Sequence, residues 1–151
     1  MKRFKSIDDM AAAAGQEIGV SDWTTIDQAR VSGFADVTGD HQWVHVDVER
    51  ARRELPTKGT IVHGLLALSL IPALARTIAD CDGVSRIINY GLNKVRFTQV
   101  IPTGAKIRVR AKLLSAERRA GGMQFTHEYR IELEGEERPA CMAEMITILY
   151  P

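Results

Sequence analysis

Apolar and polar positions along this chain follow two different periods. In the first half, Ile26, Ala29, Val31, Phe34 and Val37 recur at close to helical spacing. Thr25 stands three residues before Gln28, the spacing of a capping box. The pattern predicts a helix that starts there and stops at Gly39. A second, short helix is expected over "VERARREL", with Asp47 as its N-cap and Pro56 just past its end. The loop "PTKGT" leads into the longest apolar run, "IVHGLLALSLIPALARTIA", residues 61–79. It is nearly as long as a membrane span, but His63, Gly64, Ser69, Pro72 and Arg76 interrupt it. One long helix, greasy nearly all round because a soluble core covers most of it, is the expectation.

The second half alternates with a period of two. Met123, Phe125, His127, Tyr129, Ile131 and Leu133 share one face; Gln124, Thr126, Glu128, Arg130, Glu132 and Glu134 share the other. That is the pattern of a half-buried strand, and it makes His127 a core residue. "KIRVRAKLLSA" alternates too, with Ile107, Val109, Ala111 and Leu113 inward. Turn signals at 102–104, 120–122 and 134–139 separate these runs, with "SRIINYGLNKVRFTQVI" before them and "ACMAEMITILY" after. Four successive antiparallel strands are expected. Helices first and strands afterwards is the α+β arrangement, read as a single domain over residues 1–151.

Composition narrows the function classes. Apolar residues make up 45% of the 151 and charged residues 26%, as in an ordinary globular protein. The formal charge is +1 with no sustained basic stripe, which argues against nucleic acid. Asp8 and Asp9 interrupt the N-terminus where a signal peptide would be apolar. Cys81 and Cys141 are too few and too far apart for a metal motif or a disulfide framework. A reduced, cytoplasmic setting without membrane insertion fits these features.

The candidate chemistry sits in "FADVTGDHQWVHVD", residues 34–47. A carboxylate at Asp40 and an imidazole at His45 could share acid/base work, since a histidine can hold or release a proton near neutrality. The spacing alone also allows Asp40 to cap a turn and His45 to be a packed side chain. Trp43 and Val44 add bulk that would partly bury the pair. His63 and Gly64 open the apolar helix, where free backbone N–H groups can polarise a carbonyl oxygen. Ser69 is a lone hydroxyl in that helix; it either supports a site or bonds back to a carbonyl one turn earlier.

"FADVTGDHQWVHVDVERA" followed by "GTIVHGLLALSL" resembles the MaoC-type (R)-specific enoyl-CoA hydratases. Their hydratase segment leads through Ser/Thr and Gly/Glu to Asp, then Asn-Pro-x-His-x-Asp, and a His-Gly opens the central helix. "VRFTQVIPTGAKIRVRAKL" is similar to the family's later strand pair. Gln42-Trp43 replaces the commoner Asn-Pro, as in the branch named for nodulation protein N. The resemblance implies a hotdog fold, a long central helix wrapped by an antiparallel sheet and paired into a homodimer across the sheet edge. It implies hydration of a trans-2-enoyl thioester of coenzyme A to the (R)-3-hydroxyacyl product. Asp40 and His45 would hold and activate the water, and the Gly64 N–H would bind the thioester oxygen. Ser69 and His63 would support the site, and Trp43 would shape the substrate pocket. No metal or redox cofactor is implied; coenzyme A enters as part of the substrate, with Arg52, Arg53, Lys58 and Arg96 as candidates for its phosphates. A non-catalytic acyl-CoA-binding hotdog protein and a hotdog thioesterase are the competing readings.

Overall fold

The computed structural model describes all 151 residues. Six short helices and eight strands follow one another as β1 (Lys2–Phe4), α1 (Ile7–Ala11), β2 (Glu17–Val20), β3 (Thr24–Thr25), α2 (Gln28–Thr38), α3 (Trp43–Val46), α4 (Val48–Glu54), α5 (Gly64–Ser69), α6 (Ile71–Ile78), β4 (Ala79–Cys81), β5 (Arg86–Phe97), β6 (Lys106–Arg119), β7 (Gly122–Leu133) and β8 (Cys141–Tyr150).

The four long strands form one antiparallel sheet, as the alternation predicts. Their spatial order is β6-β7-β8-β5, so the first of the four pairs with the last. The inward faces of β6 and β7 are those read from the sequence: Ile107, Val109, Ala111 and Leu113 are buried, and so are all six residues from Met123 to Leu133 on the apolar face of β7. Cross-strand register stacks Leu113, His127 and Met145 across three strands. The periodicity did not reveal β2 and β3, which add to the free edge of β6. Nor did it reveal the parallel pair β1 and β4. These segments are too short to show a period.

The helical half departs from expectation in three places. The N-cap of α2 is Asp27, whose carboxylate accepts from the Arg30 N–H, not Thr25, which lies in β3. Gln28 therefore opens the helix and its side chain is free for another use. The core face of α2 is Val31 and Ala35 with Phe34 partly buried, whereas Val37 is 88% exposed. Third, the long helix is two, α5 and α6, parted at Leu70. Pro72 in the first turn of α6 has no N–H to continue the ladder. The pair is also not covered all round: Leu65, Ser69, Ala73 and Arg76 form an exposed stripe at steps of four, four and three. The inner face, Leu66, Ala67, Ile71 and Ile78, packs into the core with the concave side of the sheet. Other boundaries hold. Gly39 ends α2 at φ 78°, a left-handed position that glycine takes without strain, and Asp47 caps α4 through the Arg50 N–H.

β5 ends the sheet with one edge unpaired. It also shows apolar side chains to solvent: Ile87, Ile88, Tyr90, Leu92 and Phe97 are between 44% and 65% exposed. No helix is long and apolar enough to cross a membrane.

Candidate active site

The left-handed turn at Gly39 swings the chain out of α2 and into α3, and this fixes where Asp40 and His45 stand. Gln28 then ties α3 to the loop before α5. Its amide nitrogen donates to the His45 carbonyl at 2.8 Å, and its amide oxygen accepts from the Thr60 hydroxyl at 2.6 Å. The Ile61 N–H donates to the Val44 carbonyl at 3.0 Å, and the Val62 N–H to the Ile101 carbonyl at 2.9 Å. The segment 60–62 is thus held from both sides. The sequence pattern offers Gln28 only a capping role and does not point to this strut, because its partners are 17 and 32 residues away.

The strut also orients the imidazole. His45 is buried and its Nδ1 lies 2.7 Å from the Ile61 carbonyl. A carbonyl only accepts, so Nδ1 carries the proton and Nε2 keeps its lone pair in the neutral ring. His63 is also buried, with Nε2 donating to the Asp40 backbone carbonyl at 3.0 Å and Nδ1 left without a partner. The two rings stack face to face, centroids 3.7 Å apart and planes 23° from parallel, with Phe34 5.0 Å from His63. His63 is therefore a wall under His45 and a peg for the Asp40 backbone.

The Asp40 carboxylate is more than half exposed and accepts only a long bond, 3.4 Å, from the Gln42 N–H. One of its oxygens and a ring nitrogen from each of His45 and His63 lie within 4.8 Å of one another. A water hydrogen-bonded on two sides spans roughly 5.6 Å, so one water fits between carboxylate and imidazole. A metal ion fits less well. Rings stacked 3.7 Å apart hold their in-plane lone pairs in two separate, nearly parallel planes, while tetrahedral ligation needs them to meet at one ion.

Gly64 is the first residue of α5, and its N–H is used by none of the loop or cap hydrogen bonds. A side chain here would be crowded: a Cβ on Gly64 would stand 3.0 Å from the Phe97 ring of β5, which would have to shift. Phe97 thus closes one side of the helix start. The other expected residues are placed differently. The Ser69 hydroxyl donates to the Leu65 carbonyl at 2.7 Å, one turn back, and makes no bond to Asp40. Trp43 is half-buried under the Arg50 guanidinium, 4.0 Å above its ring. His41 lies on the surface, paired with Asp36 at 2.9 Å, and that hydrogen bond raises its pKa. Of the cations, Arg52 is paired with Glu49 at 3.0 Å and Arg96 donates to the Val95 carbonyl.

A family model, the MaoC like domain, matches residues 9–134. The chain is 48% identical over 148 residues to 3-hydroxyacyl-thioester dehydratase Z of Mycobacterium tuberculosis, with 97% of each chain covered. It is 42% identical over 151 residues to nodulation protein N of Rhizobium leguminosarum bv. viciae, covering 95% of this chain and 91% of the other. Among solved structures, R-hydratase PhaJ1 from Pseudomonas aeruginosa superposes with a TM-score of 0.72 at 24% identity, covering 91% of this chain and 81% of that one. The (R)-hydratase from A. caviae gives 0.73 at 22% identity, covering 91% and 96%. The family model over residues 9–134 and relatives of 48% and 42% identity, covering 97% and 95% of the chain, show that it belongs to the MaoC-like hydratase and dehydratase family, on an α+β hotdog scaffold. Its relatives include the nodulation protein N branch expected from Gln42-Trp43.

Proposed function

We propose that this protein is an (R)-specific enoyl-CoA hydratase, a hydro-lyase that adds water reversibly to a trans-2-enoyl thioester of coenzyme A. The observation that carries the reading is the convergence of the Asp40 carboxylate and an oriented His45 imidazole within one water's span. The thioester oxygen rests on the Gly64 N–H, where negative charge grows as C3 is attacked; such a donor contributes about 3–4 kcal/mol to the transition state. Asp40 and the His45 Nε2 hold the water between them. Its hydroxyl adds to C3, and its proton returns to C2 from the same side. The addition needs no electron acceptor and consumes only water. Identity of 48% to a relative named as a 3-hydroxyacyl-thioester dehydratase supports the same reaction in reverse.

The working unit is a homodimer joined at β5. An unpaired strand edge with a row of exposed apolar side chains is a surface that a second copy covers well. Phe97 belongs to that strand and touches Gly64, so the partner would sit beside the site. A location in the cytoplasm fits the chemistry of the substrate.

Incubation with crotonyl-CoA and a medium-chain enoyl-CoA, with product analysis, tests the assignment. Loss of the enoyl absorbance with formation of the (R)-3-hydroxyacyl thioester is expected. Free thiol would replace the reading by thioesterase, and unchanged substrate with measurable binding would replace it by a non-catalytic binder. Sedimentation of the wild type should give twice the chain mass; a monomer at micromolar concentration would remove the β5 dimer.

A further inference from the structure

α3 is a single turn, and its N-cap residue, Gln42, makes no side-chain bond to it. One turn of helix has no stability of its own, so the position of His45 is set by what grips α3 from outside. Two of these grips belong to Ile61. Its N–H holds the Val44 carbonyl at 3.0 Å, and its carbonyl receives the His45 Nδ1–H at 2.7 Å. The ring is aimed from Ile61, so its aim depends on the spacing between His45 and the segment 60–61.

Gln28 spans that spacing. Its half-buried amide meets the His45 backbone carbonyl at one end and the Thr60 hydroxyl at the other. The His45 carbonyl stands near the end of the turn, where a helix runs out of N–H partners. Thr60 is 4% exposed, and its own carbonyl is held by the Thr103 N–H at 2.9 Å. The amide cannot be turned over, because its oxygen would then face a second acceptor, the His45 carbonyl. Neither relative of glutamine can do the same work. Asparagine is short by one carbon, about 1.5 Å. Glutamate accepts at both ends and sets an acceptor against the His45 carbonyl. Asp40 has separate moorings: its carbonyl accepts from His63 Nε2, and its N–H donates to the Thr38 hydroxyl at 3.4 Å. Loss of Gln28 therefore moves the imidazole relative to the carboxylate, instead of moving the two together. The cap of α2 is Asp27, so a substitution at Gln28 leaves the cap in place.

We propose that Gln28 is a positioning residue for the hydration step. It acts through His45, keeping the Nε2 lone pair at the span from Asp40 that one water bridges. Its effect on rate rests on the hydratase reading; its effect on the His45 ring does not.

Two measurements on Gln28→Met, Gln28→Glu, Thr60→Val and the double variant Gln28→Met/Thr60→Val test this. In the first, hydration of crotonyl-CoA, kcat should fall by about tenfold to a hundredfold in each single variant, as an ångström of misplacement does, with KM within about threefold. Because both residues form one strut, the double variant should lose no more than the worse single one. The second readout needs no substrate. Nitrogen-15 resonance of the His45 ring should show a protonated Nδ1 and a bare Nε2 in wild type. The Nδ1 proton should exchange with water at least about tenfold faster in the variants, while amide signals of the four long strands stay in place. A folded variant with kcat within about threefold of wild type, losses that multiply in the double variant, or an unaltered His45 ring overturns the proposal. If wild type hydrates no enoyl thioester, the hydratase reading fails, and the ring signals still decide whether Gln28 holds His45. Should Gln28→Met fail to fold, Thr60→Val, which cuts the strut from its other end and leaves α2 untouched, decides alone.

Discussion

Replacing Asp40 by asparagine should separate activity from stability almost completely. The side chain is 57% exposed. It accepts one long bond from the Gln42 N–H and faces His63 Nε2 only at 4.0 Å. The amide oxygen of an asparagine still accepts from the Gln42 N–H, and the 4.0 Å approach to His63 is too long to be a hydrogen bond that could be lost, so stability should change by no more than about 0.5 kcal/mol. Catalysis is another matter. An amide cannot take a proton from water, and general acid–base groups contribute about 10²–10⁴ in rate. At 1.36 kcal/mol per factor of ten that is roughly 3–5.5 kcal/mol on the barrier, at least five times the expected loss in folding. The assay is the absorbance of an enoyl thioester followed in time, paired with urea unfolding of the same preparations. A variant that keeps more than about a third of wild-type turnover, a barrier change under about 0.7 kcal/mol, would refute the role given to Asp40. So would a large loss of stability, because the carboxylate would then be structural.

Three further outcomes are expected. Gly64→Ala keeps the N–H but puts a methyl 3.0 Å from the Phe97 ring, which must retreat by about 0.5 Å to reach ordinary contact; turnover should fall by about tenfold to a hundredfold and recover in part with Phe97→Leu, and an unaltered rate would show that the Phe97 ring does not fix the start of α5. Burial holds the His127 pKa down to about 4 in the fold, and it returns to about 6.5 on unfolding. The unfolded chain therefore binds the extra proton, so this group's contribution is present above about pH 6.5 and is lost as pH falls toward 4, about 3 kcal/mol in all. Urea titrations at pH 7 and 4.5 should show a steeper acid loss in wild type than in His127→Leu, and parallel losses would mean that the ring is not buried in neutral form. Gly39→Ala meets no neighbour within 4 Å, so its cost is only the left-handed backbone, about 1–2 kcal/mol; unchanged stability in urea would place the end of α2 elsewhere.

How legible the molecule was differs sharply between its two halves. The four long strands could be read as strands, and β6 and β7 with their inward faces too, because side chains alternate strictly along a strand and one face of each is buried. The ends of α2 and α4 were legible in part, through Gly39 and Asp47, since caps are local chemistry. The apolar run was legible as helix but not as two helices with an exposed stripe, because hydrophobicity says what can be buried and not how much cover the rest of the chain supplies. Asp40, His45 and the His63-Gly64 step could be named from the motif that they share with the family. Their mutual distances could not, for they depend on the Gln28 strut and on the Ile61 carbonyl, and those partners are remote in sequence. Ser69 shows the same limit from the other side: its hydroxyl had two possible partners on paper, and the packed helix gives it to Leu65. His127 was assigned to the core by its position in the alternation, and it is there. That this residue borders a cavity follows only from how α6 lies over the sheet. Local pattern determines which elements form and which face they bury; the convergence of groups far apart in the chain, which makes both the site and the cavity, is decided by tertiary packing alone.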